Sequence, residues 1–165
     1  KGSRNVFHVR ASYTDEVRRL VQRLAGMGLK DIGIVNLDNA YGREMLEDST
    51  RFLAEQGLKP LVQAALATDG KNLGDVLAKV GQARPAVVLL ATAGTASVEL
   101  VRGLKKNLPG VLMAGLSVTL TSDGLKQLGD AGSGLASLSD SGVSPTVRVP
   151  WPALVTSSSA PPSST

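Results

Sequence analysis

A chain of 165 residues, 42% of them hydrophobic, is long enough to bury a core and short enough for one compact domain. It has no cysteine, which excludes disulfides, thiol catalysis and thiolate metal sites. Its net charge of +4 is scattered, with no basic cluster longer than a pair such as Lys105-Lys106, so a nucleic-acid partner, which needs a contiguous basic face, is not expected.

In chain order, Val6 to Val9 reads as a short strand leading into a helix. Ser12-Tyr13-Thr14-Asp15 has the form of a capping box, and Val17, Leu20, Val21 and Leu24 lay one apolar stripe along that helix until Gly26 and Gly28 end it. Asp31 to Leu37 is a compact β-rich run, short enough for a buried strand. A polar turn, Asp38-Asn39-Ala40-Tyr41-Gly42, follows it. The next helix is expected to start near Arg43, with Met45, Ser49, Phe52 and Leu53 on one face and Gly57 as its stop.

Leu61 to Leu66 supplies the next strand, and Leu73, Val76, Leu77 and Val80 mark a third helix. Ala86 to Ala91 is the clearest buried strand; Thr95 to Asn107 gives a fourth helix, and Val111 to Ala114 another strand. Such a β-α alternation with near-continuous apolar strands predicts an α/β fold, a Rossmann-like three-layer lobe with a mostly parallel sheet. From Ser139 to Thr165 the chain carries only Asp140 and Arg148 as charges and five of its eight prolines. The folded unit is therefore expected over 1–138, with 139–165 an extended or disordered Ser/Pro-rich tail.

No enzyme motif emerges: there is no phosphate-cradling loop and no nucleophile elbow, and the single histidine, His8, has no second His or Cys with which to build a metal site. Neither a cofactor nor catalysis is expected. No run approaches the roughly 18 apolar residues of a membrane span, and Lys1-Gly2-Ser3-Arg4 does not lead into a signal-type segment.

Ligands of parallel sheets bind beyond the carboxyl ends of the strands, and three segments are predicted there: Leu37 to Gly42, Ala91 to Thr95, and Gly115 to Thr119. Each has a plain structural explanation and a functional one. Asp38 or Asn39 caps a helix, Gly42 relaxes the turn and Tyr41 packs on the rim; alternatively, Tyr41 offers a ring and a hydroxyl to a small ligand while the cap exposes N–H groups to a carboxylate. Thr95 reads equally as an N-cap or as the flank of Ala93-Gly94, where backbone can approach a ligand closely. Ser117 is either a turn former or a contact.

The ordered set Asn5 to Glu16, Asp31 to Val35, Asp38 to Gly42, Gly57-Leu58-Lys59-Pro60, Arg84 to Leu89 and Gly115-Leu116-Ser117 closely resembles the second lobe of periplasmic substrate-binding proteins of the branched-chain amino acid (Leu/Ile/Val) ABC transporter family, from about Asn5 to Leu138. The resemblance implies a type I periplasmic binding protein lobe, a small ligand held between two lobes by hinge closure, a periplasmic location and delivery to an ABC permease. It implies ligand contact for Tyr41, for the loop at Ala93 and Gly94, and for the position of Ser117, where some members place an acid for the ligand's ammonium and this sequence has none. The first lobe is missing from these residues, and self-association through the face it would cover is expected. A ligand-sensing receptor module of the same fold and a small flavodoxin-like enzyme remain as alternatives.

Overall fold

A computed structural model describes residues 13–116, 119, 126–128 and 135–137. The strand expected at Val6 to Val9, Ser12 of the capping box, Ser117 and the tail 139–165 lie outside these residues.

The described elements run α1 (Tyr13–Gly26), β1 (Ile32–Leu37), α2 (Ala40–Glu55), β2 (Val62–Leu66), α3 (Leu73–Ala83), β3 (Val87–Ala91), α4 (Thr95–Asn107), β4 (Leu112–Gly115) and β5 (Leu135–Ser137). The five strands form one sheet in the order β2-β1-β3-β4-β5, and every pairing is parallel. From β1 to β4 each intervening helix returns the chain to the amino edge of the sheet, so these strands run the same way.

Alternation along the strands splits the core into two layers. Ile32 and Ile34 of β1 and Val87, Leu89 and Ala91 of β3 pack with α1 and α2 through Val17, Leu20, Val21, Met45, Phe52 and Leu53. The intervening Val35, Leu37, Val88 and Leu90 pack with α3 and α4 through Val76, Val80, Val98, Val101 and Leu104. Because both faces are covered, β1 and β3 are buried at every position. Edge strand β2 instead alternates buried and exposed residues.

Helix α2 ends in a Schellman turn: Gly57 sits at φ 69, and the Leu58 and Gly57 amides donate back to the Leu53 and Ala54 carbonyls. Its start differs from expectation. The helix begins at Ala40, so Tyr41 and Gly42 lie inside its first turn. Nor does Gly42 relax a turn. A Cβ there would stand 2.6 Å from the Leu37 nitrogen and 2.7 Å from its carbonyl carbon, so only glycine lets α2 fold back so closely on the end of β1.

Candidate functional site

The sheet order reverses direction between β1 and β3: from β1 the chain steps outward to β2, then crosses back to β3 on the other side of β1. The crevice beyond the carboxyl ends of these two strands is the topological switch point, where doubly wound sheets bind ligands. Asn36 is paired with Ala91, so the loops at Asp38-Asn39 and Thr92-Gly94 flank the same crevice.

On the β1 side, the Asp38 amide donates to the Leu66 carbonyl at 2.8 Å, fixing the strand end. Asn39, extended at φ −150, is the N-cap of α2, and its Oδ1 accepts from the Gly42 amide at 2.8 Å. The side chain of Asn39 is therefore already engaged as a cap. Asp38 and Arg43 approach to 3.6 Å with both side chains mostly exposed, which contributes little to stability.

Tyr41 is half-buried, packed against the α1/α2 layer, with the Tyr13 ring edge-on at 5.7 Å and 81°. Its hydroxyl is enclosed and has no hydrogen-bond partner among the described residues. Burial, reinforced by Tyr13 and by Glu16, pushes its pKa well above the ordinary tyrosine value, so the phenol is neutral at any physiological pH.

On the β3 side, Thr92 is fully buried, Ala93 half-buried, and Gly94 and Thr95 exposed. Thr95 is not the N-cap that its residue type suggests. Gly94 holds that position at φ 77, a left-handed conformation that threonine would adopt only under strain, and no side chain caps the helix. The amides of Thr95 and Ala96 thus start α4 without a side-chain cap at the positive end of the helix, while the Ser97 amide donates to the Gly94 carbonyl at 3.1 Å. Beneath them, the Thr92 and Ser97 hydroxyls are buried without partners among the described residues. Thr119 has a structural role: its Oγ1 is within hydrogen-bond reach of the Leu90 carbonyl at 3.1 Å and of the Thr92 carbonyl, tying the loop after β4 to the end of β3.

The segments that carry Asn39 and Tyr41 and those that carry Ala93, Gly94 and Thr95 thus leave neighbouring strands at the same edge of the sheet, with Tyr41 packed on the α1/α2 face and Ala93 on the α3/α4 face. Ser117 follows β4, the neighbour of β3, but its own placement is outside the described residues. In the sequence Tyr13 reads only as a spacer in a capping box. The signal that finds it is topological: a helix entering a parallel strand runs against that strand, so α1 must begin at the carboxyl edge. Among the described residues no three His, Asp or Glu side chains are grouped to hold a metal ion, and no helix is long and apolar enough to cross a membrane.

Comparison with curated proteins yields no match. Solved structures share the fold. A substrate-binding periplasmic protein from Ralstonia solanacearum superposes with a TM-score of 0.73 at 24% identity, covering 79% of this chain and 37% of that one. A Rhodopseudomonas palustris ABC transporter solute-binding protein solved with benzoate gives 0.68 at 17% identity, covering 76% and 34%. A branched-chain amino acid ABC transporter protein from Thermus thermophilus with bound valine gives 0.68 at 21%, covering 77% and 34%. This chain thus spans little more than a third of the length of these proteins. The family model described as periplasmic binding protein matches residues 1–142, which include every described strand and helix, and the chain belongs to that family.

Proposed function

We propose that this chain is a ligand-binding lobe of the solute-binding component of an ABC importer, working in the periplasm without catalysis. Residues 1–138 form the lobe. It holds a small amino-acid-like or organic-acid ligand between itself and a second lobe and hands it to a membrane permease. The contacts come from Asn39 and Tyr41 at the start of α2, from Ala93, Gly94 and Thr95 at the start of α4, and from Ser117 after β4. The observation that carries this reading is topological: the starts of α2 and α4 follow the carboxyl ends of the paired strands β1 and β3, at the switch point of the sheet order.

One lobe covers a ligand from one side, so most of the burial that gives affinity is absent until a second lobe closes. Isothermal titration of the chain with benzoate, L-valine and simple amides tests this. Dissociation constants weaker than about 100 μM are expected, corresponding to less than about 5.5 kcal/mol. Micromolar binding by this chain alone would contradict the half-site; no response to any of them at tens of millimolar would remove the ligand reading.

A further inference from the structure

We propose that Tyr13 is a specificity-determining contact of this cleft, joining Tyr41 in an aromatic corner that selects small carboxylates carrying a flat apolar group. The inference deepens the ligand reading and rests on it. Only two tyrosines occur in the chain, and the fold brings both to one spot from segments 28 positions apart. Their rings meet edge to face at 5.7 Å and 81°, the geometry in which the positive edge of one ring lies against the negative face of the other.

The two rings are not equivalent. Tyr41 is tucked into the α1/α2 layer with its hydroxyl enclosed, whereas Tyr13 is 38% exposed, one of three large hydrophobic side chains so open among the described residues. The others, Met27 and Leu61, lie at the amino edge of the sheet, after α1 and before β2. Of the three, Tyr13 alone stands at the start of α1, at the carboxyl edge of the sheet, in contact with Tyr41 of the turn after β1. Tyr41 braces it from behind, so the open ring is held in place before a ligand arrives and loses little freedom on contact.

The test uses the full chain with ring-labelled tyrosine, whose two signals are assigned with Tyr41→Phe, and titrates benzoate against acetate, its counterpart without a ring, by NMR. Benzoate is expected to shift the Tyr13 ring signal, and acetate is not. Tyr13→Ala should raise the apparent benzoate dissociation constant, read from the Gly94 and Thr95 amides, by about fivefold, the scale of one aromatic contact. Its acetate response should be unchanged while its melting temperature falls modestly with the loss of the edge-to-face pair, and Tyr13→Phe should keep both the benzoate affinity and the melting temperature. Benzoate shifts at Gly94 and Thr95 with a silent Tyr13 ring and an unaltered Tyr13→Ala affinity would overturn the role of Tyr13 and leave the cleft intact. Silence at all of these signals would overturn the ligand reading and this inference together.

Discussion

At the scale of single residues, the turn after β1 is decided by steric contact as much as by hydrogen bonding. A glycine between a tyrosine and an arginine reads from sequence as a turn residue, because glycine's commonest use is conformational freedom. Here it is a spacer, and the Leu37 backbone occupies the place of its missing side chain. Gly42→Ala must push α2 off the end of β1, and overpacking of this kind costs about 3 kcal/mol. Urea unfolding should show a midpoint lowered accordingly, and a midpoint unchanged from the parent would mean that the close approach is absent. Tyr41 supplies a second prediction at this scale. Its folded pKa lies above the ordinary value of about 10, with burial as the first cause. The sign follows directly: the stability linked to the neutral phenol is complete below pH ~10 and is lost as pH rises from there towards the folded value. In Tyr13→Phe, where Tyr41 is the remaining tyrosine, absorbance at 295 nm should titrate above the ordinary value in the folded protein and return to it in urea. An ordinary titration in both states would show that the ring is not enclosed.

At the scale of elements, the junction between β2 and α3 depends on one side chain. Asn72 stands at the N-cap of α3 yet makes no cap bond. Its Oδ1 instead accepts from the Ala67 amide at 2.7 Å and its Nδ2 donates to the Ala65 carbonyl at 2.9 Å, closing the end of the edge strand. Asn72→Ala leaves both groups to water or to nothing and should cost about 1–2 kcal/mol, with faster hydrogen exchange at Ala67 as its local sign. Loss of stability without faster exchange there would place the effect elsewhere. Asn72 also shows what sequence makes legible and what it does not. The strands β1 and β3 are readable because a strand buried on both faces has to be an unbroken apolar run, and α1, α2 and α4 because their inward stripes recur at helical spacing. Residues whose roles depend on their neighbours in space are misread. Thr95 has a capping side chain but Gly94 takes the N-cap position, and the contact of Tyr13 with Tyr41 exists only once α1 is laid against α2.

At the scale of the whole molecule, the crevice is built on the two most deeply protected strands. β1 and β3 are central in the order β2-β1-β3-β4-β5, paired on both sides and covered by helices on both faces, while β2 has a single neighbour and alternate exposed residues. A site at their carboxyl ends therefore has rigid footings under loops that are free to meet a ligand. The same arrangement sets the order of opening. Strand β2 can leave the sheet by breaking one ladder, but β1 and β3 exchange only when the core itself opens. In native-state hydrogen exchange, amides of Val35 and Leu89 should therefore exchange by global unfolding, and that of Gln63 at least about tenfold faster, a difference of about 1.4 kcal/mol. Gln63 as slow as Val35 in concentrated samples, with faster exchange on dilution, would mean that a second copy covers the β2 edge. Equal protection at every concentration would overturn the hierarchy and leave the sheet opening as one unit.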